Sequence, residues 1–135
     1  MKSLNEWAKE IHENAVAHGW WDEQRSFGEI VALCHSELSE ALEEYRSGQP
    51  NVYAVCGEDH TPCGGIECDH WEAFNGSCKQ GVLIDKPEGI AVEMADCIIR
   101  ILDWCGKEGI DMDRMISLKH EYNKSRPYRH GGKRL

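Results

Sequence analysis

The chain has 135 residues, 41% of them hydrophobic and 29% charged, with a formal net charge of −9. That is one domain's length, with enough apolar residues for a core of its own. No apolar run approaches the roughly 20 residues of a membrane span, and Met1–Trp7 lacks the apolar stretch of a signal peptide, so a cytoplasmic protein is expected. Charge is uneven: residues 119–135 hold six Lys/Arg against one Glu, whereas the preceding 118 residues hold nine against 23 acids. An acidic body disfavours duplex nucleic acid, whose phosphates need a basic face. With its basic tail it suits a metal-bound phosphate ligand gripped by that tail; a merely solvated tail is the alternative.

Ser3-Leu4-Asn5-Glu6 is a capping box that opens a first helix to about Gly19, with Leu4, Trp7, Ile11 and Ala15 as its apolar stripe. A loop, Gly19-Trp20-Trp21-Asp22, leads to a second capping box at Ser26-Phe27-Gly28-Glu29, whose helix should stop at Gly48. Its stripe is Ile30, Leu33, Cys34, Leu38, Ala41, Leu42 and Tyr45. At about 100° per residue, Glu37 points into that apolar sector, with Glu40 and Glu44 on its edge. Residues 49–86 are poor in apolar side chains and rich in Gly, Cys, His and Asp, which predicts an irregular insertion with room for a short hairpin. A third helix is expected from Pro87, with Asp85 as a nearby cap, to Lys107 or Glu108, ending at Gly109. It is apolar on most sides apart from a stripe of Glu93, Asp96, Arg100 and Asp103, which should face a site or a partner chain. Asp111 caps a fourth helix to about Lys124, and Pro127 ends it. The fold class is therefore all-α: four helices in a single domain, with insertion 49–86 between the second and third.

Two acid pairs carry the chemistry. Glu37 and Glu40, like Glu93 and Asp96, are spaced i, i+3, so each pair lies on one side of a helix. Each lies in an apolar stretch, where an unpaired carboxylate is costly to bury. Paired structural carboxylates would explain one such site; two sites favour a divalent cation held by four oxygens. Mg²⁺ fits, with Mn²⁺ as a substitute, because it takes hard oxygen ligands and keeps waters for a phosphate.

Glu37-x-x-Glu40 followed by Glu93-x-x-Asp96 resembles the MazG-like all-α nucleoside triphosphate pyrophosphohydrolases. The stretch Lys86–Asp96 and the tail Lys119–Lys133 look like a phage and bacterial branch of that superfamily, and the likeness covers roughly residues 1–48 and 85–132. Two departures stand out: Ser36 occupies the position where the family usually has a first Glu, and the gap between the acid pairs is longer than its norm. The resemblance implies a four-helix MazG-like bundle and hydrolysis of the α–β bond of a nucleoside triphosphate, with Mg²⁺, to a monophosphate and pyrophosphate. On that reading Glu37, Glu40, Glu93 and Asp96 hold the metal, and Glu44 or Glu40 serves as general base. Lys119, Arg126 and Arg129 grip phosphate oxygens and Asn123 hydrogen-bonds ribose or phosphate. Trp20, Trp21 or Tyr128 would stack on the base, although a Trp in a small helical protein is more often core. The resemblance and the apolar third helix together imply an obligate homodimer or a dimer of dimers that buries more than about 2,000 Å².

The insertion holds Cys56, Cys63, Cys68 and Cys78, with His60, Asp69 and His70 among them. Four thiols and two imidazoles could form a tetrahedral Zn²⁺ site, but the Cys-x-x-Cys knuckle is missing; free thiols in a loop pinned by a partner, or disulfides, stay open. The rival to the enzyme is a non-catalytic helical interaction module with a zinc-stapled insertion, which Ser36 favours. If zinc is present, metal analysis should find close to one ion per chain, and Cys63→Ser should lower that number. A zinc-free protein that is folded and has all seven thiols titrating freely would remove the zinc site.

Overall fold

A computed structural model of the chain describes residues 1–56, 61–63 and 84–129. It contains four helices, α1 (Leu4–Ala17), α2 (Phe27–Arg46), α3 (Ile90–Glu108) and α4 (Met112–Ser125), and three short strands, β1 (Tyr53–Cys56), β2 (Thr61–Cys63) and β3 (Ile84–Glu88). Helices dominate, in keeping with the all-α expectation. The segment read as irregular contributes more than a hairpin: its strands form an antiparallel sheet in the order β2-β1-β3. No helix among the described residues is long and apolar enough to cross a membrane.

Both capping boxes form. Ser3 accepts from the Glu6 N–H while Glu6 accepts from the Ser3 N–H, and Ser26 and Glu29 repeat the arrangement. Each box satisfies two of the donors that a helix N-terminus leaves unpaired.

The start of α3 corrects the sequence reading. Pro87 does not open the helix; it lies in β3, paired with Ala54 of β1, and α3 begins at Ile90. Proline tolerates either role, and β3 is an edge strand, where a missing N–H is least disruptive. The boundary is set by Gly89, at φ 115°, a conformation that no helix continues through. A Cβ there would also meet the Asn51 carbonyl oxygen at 2.5 Å.

The chain divides into two compact units, residues 1–24 with 101–135 and residues 25–100. In the first, Ala8, Leu102 and Cys105 are buried, and Leu4, Ile11, Trp104, Ile110 and Met112 pack around them. Gly106 permits this approach, since a Cβ on it would lie 2.5 Å from the Ala8 carbonyl oxygen and 2.7 Å from the His12 Cβ. The N-termini of α1 and α4 cap each other. Asp113 accepts from the Leu4 and Asn5 N–H groups at 3.2 and 3.1 Å, and Asn5 Oδ1 accepts from the Met112 N–H at 2.9 Å. Asn5 also donates to Asp111, the N-cap of α4. In the second unit, Ile30, Glu37 and Ala41 of α2 and Glu93 and Cys97 of α3 are buried, with Tyr53 of β1. The Ala91 N–H donates to the Asn51 carbonyl at 2.9 Å, tying the root of the sheet to the first turn of α3.

Gly106→Ala should lower the melting temperature by about 3–10 °C, because backbone, not a flexible side chain, stands where the methyl must go. Ser117→Ala, at an exposed position of α4, should change it by no more than about 2 °C. Thermal denaturation followed by circular dichroism measures both.

Candidate functional site

The acids converge in the second unit. Glu37 falls on the buried line of α2, seven residues after Ile30 and four before Ala41, and is 6% exposed. Glu93 and Asp96 lie one turn apart in the first half of α3; Glu93 is equally buried and Asp96 half-buried. One oxygen from each of Glu37, Glu93 and Asp96 can be chosen so that all lie within 4.8 Å of one another. An octahedral ion with bonds of about 2.1 Å sets its ligand oxygens roughly 3–4.2 Å apart, so small side-chain movements would close the three onto one cation.

Their charges are incompletely compensated. Burial, then the charges of Glu40 and Asp96, pushes the Glu93 carboxyl up to about 7 against the opposing pull of Lys86. Burial and the Glu37 charge raise Asp96 too, with Arg100 and Lys86 opposing. Arg100 Nε donates to Glu37 Oε1, so one of the three carboxylates has a cationic partner. Buried like charges that push one another toward protonation are what a divalent ion relieves.

The expected four-acid set is only partly assembled. Glu40 lies outside the close cluster: it is exposed, and it accepts from the Ser36 hydroxyl at 3.5 Å. Its charge still acts on Glu93 and Asp96. Glu44, half-buried two turns beyond Glu37, accepts from the Tyr53 hydroxyl at 3.0 and 3.3 Å through its two oxygens. Burial, then that bond and the Glu44 charge, pushes the Tyr53 phenol up to about 12.

Tyr53, Lys86 and Glu88 are the site neighbours that the sequence reading missed. All three come from the insertion or its edge: β1 sets Tyr53 opposite Glu88 and Val55 opposite Lys86, and Lys86 pairs with Glu88 at 3.0 Å. Arg100 already stands on the polar stripe of the sequence reading with Glu93 and Asp96, four residues after Asp96, though without a role there.

The remaining residues expected at the site belong to the first unit. Lys119 and Arg126 converge on the Tyr122 ring, at 4.7 and 5.9 Å, while Arg129 lies over Tyr128 at 5.5 Å. Asn123, on α4, is exposed, and its carbonyl accepts from the Arg126 N–H. Trp20 is half-buried. Trp21 is held as a structural aromatic: its Nε1 donates to both oxygens of the buried Asp103, at 3.0 and 3.1 Å, and its ring meets His12 edge-on. Asp103 also bonds His12 Nδ1 at 2.8 Å, so the polar stripe of α3 divides its work between two clusters.

A cavity of about 510 Å³ in the first unit is lined by residues that include Lys9, His12, Glu13 and Asp111. Cys34, Cys97 and Cys105 are free thiols. Cys68, Cys78, His60, Asp69 and His70 lie outside the described residues, and for Cys56 and Cys63 only strand pairing is described, Cys56 with Thr61 and Cys63 with Ala54. The zinc expectation therefore falls outside the described structure. Comparison with family models, curated proteins and solved structures finds no match to this chain.

The raised Glu93 carboxyl fixes the sign of a pH effect. Its ordinary value is 4.5 and its folded value about 7, so between these the folded state holds a proton that the unfolded chain releases. Its contribution to stability is therefore present at low pH and lost as pH rises through 7. Metal-free protein should melt at a higher temperature at pH 6 than at pH 8, and Glu93→Gln should narrow that difference. Added Mg²⁺ should raise the melting temperature more at pH 8, where no proton competes with it. Equal responses at both pH values would show that Glu93 carries no such burden.

Proposed function

We propose that the chain is a Mg²⁺-dependent, MazG-like nucleotide pyrophosphohydrolase that cleaves a nucleoside triphosphate to the monophosphate and pyrophosphate. The observation behind this reading is the cluster of Glu37, Glu93 and Asp96, two of them buried, with ligand oxygens within 4.8 Å. Those three carboxylates would hold the ion, with Glu40, whose charge acts on Glu93 and Asp96, as the proposed fourth ligand. When bound, Mg²⁺ would supply charge neutralisation for the phosphate oxygens of the substrate. Arg100 orients Glu37 through its Nε–H bond. Glu44 accepts the proton of the attacking water. Lys119, Asn123, Arg126 and Arg129 remain the proposed grips on phosphate and ribose.

The rival is a non-catalytic helical module, which Ser36 supports by standing where a further carboxylate would be expected. Pyrophosphate release from a panel of nucleoside triphosphates with Mg²⁺ separates the two. Glu93→Gln should leave the fold intact and reduce turnover at least about 100-fold; near wild-type turnover by that variant would dismiss the acid cluster as the site.

The reading carries an assembly with it. Leu38, Leu42, Met94 and Ile98 of the second unit are each about half exposed. Large apolar side chains exposed on neighbouring turns suit a permanent interface. A homodimer or a dimer of dimers is the proposed state. Mixing Asp96→Asn protein with Arg126→Ala protein should restore partial activity if chains exchange and share sites. A stable monomer in light scattering at micromolar concentration would exclude the assembly.

A further inference from the structure

The insertion is more than an appendage to the helices, because its first strand reaches the acids. Tyr53 is 7% exposed and buries its hydroxyl against Glu44, bridging both carboxylate oxygens at 3.0 and 3.3 Å. Glu44 is seven residues after Glu37, which brings it back to nearly the same face of α2 about 10 Å further along. The three close acids do not include it. Among the described residues it is thus a carboxylate on the acid face outside the close acid cluster, held by the neutral Tyr53 hydroxyl.

A donor shared by both oxygens holds the carboxylate group at a fixed place while leaving its outer lone pairs open to a second donor. Among the described residues Glu40 is exposed and its hydrogen-bond donor is the Ser36 hydroxyl at 3.5 Å. Of the two acids that could serve as base, Glu44 is the oriented one. Tyr53 is itself pinned. Its strand pairs with β3, where Glu88 lies opposite, and Gly89 and Ala91 close the strand root onto Asn51.

We propose that Tyr53 is a positioning residue for Glu44, by which the insertion orients the general base of the reaction; this rests on the pyrophosphohydrolase reading. In the step it serves, an O–H bond of water breaks and its proton passes to a Glu44 oxygen. The water oxygen bonds to phosphorus of the α–β linkage. The bridging P–O bond breaks, and its electron pair stays on the bridging oxygen of the part not attacked, so that the products are the monophosphate and pyrophosphate.

The test uses the full-length protein, Mg²⁺ and the nucleoside triphosphate that the wild type turns over fastest. Tyr53→Phe keeps the ring and removes only the donor. It should lower kcat about tenfold with KM unchanged within twofold and the Mg²⁺ dissociation constant, from calorimetry without nucleotide, also unchanged. In a Glu44→Gln background the same substitution should change kcat less than twofold, since the base it orients is gone. Glu44→Asp, which draws the carboxylate back from the hydroxyl, should lose as much kcat as Tyr53→Phe and supplies a second route if the latter folds poorly. Additive losses in the double variant, or a Tyr53→Phe enzyme of wild-type kcat, would overturn the positioning role and leave the pyrophosphohydrolase reading standing. No pyrophosphate release by the wild type from any triphosphate would overturn both.

Discussion

Repulsion among three carboxylates is the constraint from which the second unit is built. With oxygens within 4.8 Å of one another, each ionised pair repels by at least about 3 kcal/mol at an effective dielectric constant near 20. A helix does not choose such an arrangement for stability. α2 could bury an apolar residue at position 37, and α3 one at position 93, with a gain in place of a loss. What holds the acids there is the packing of everything else on the same faces, including Ile30, Ala41 and Cys97. The guanidinium of Arg100 answers one charge and the remainder is met by protonation or by a cation. A fold that maintains this stress at its own expense has the profile of a binding site.

The insertion joins this economy at its base. β1 and β3 return the chain to the end of α2 and the start of α3, and the side chains there are not inert spacers. Tyr53 engages Glu44, while Lys86 and Glu88 add one charge of each sign to the field around Glu93. An insertion placed between the two acid-bearing helices begins and ends beside their carboxylates, so its root residues are drawn toward that cluster whatever its distal part does.

Features fixed by near neighbours in the chain were legible beforehand. Ser3 with Glu6 and Ser26 with Glu29 form boxes that need only three residues of separation, and both formed. Glu37, Glu93 and Asp96 announced themselves as carboxylates on apolar helical faces. Pro87 misled because the local preference for a helical first turn lost to a strand pairing with Ala54, far earlier in the chain. Tyr53 was invisible for a related reason: its partner lies on another element, and nothing in a tyrosine flanked by Val52 and Ala54 specifies it. Trp21 could be read as a stacking surface or as packing, and its indole N–H finds a partner, the buried Asp103, that its sequence neighbours do not announce. The zinc question, resting on Cys68 and Cys78, lies with the residues outside the description.

The reciprocal caps at Asn5 and Asp113 have a consequence for how the first unit comes apart. Ordinarily a helix end frays alone, one turn at a time, at little free-energy cost. Here the donors of α1 are answered by a side chain of α4, and those of α4 by a side chain of α1. Loosening either terminus strips the acceptors from the other, so the two ends open as one event. Residues in the first turn of α1, which a helix end left to itself would expose to early amide exchange, thereby inherit the opening free energy of a helix more than a hundred positions away.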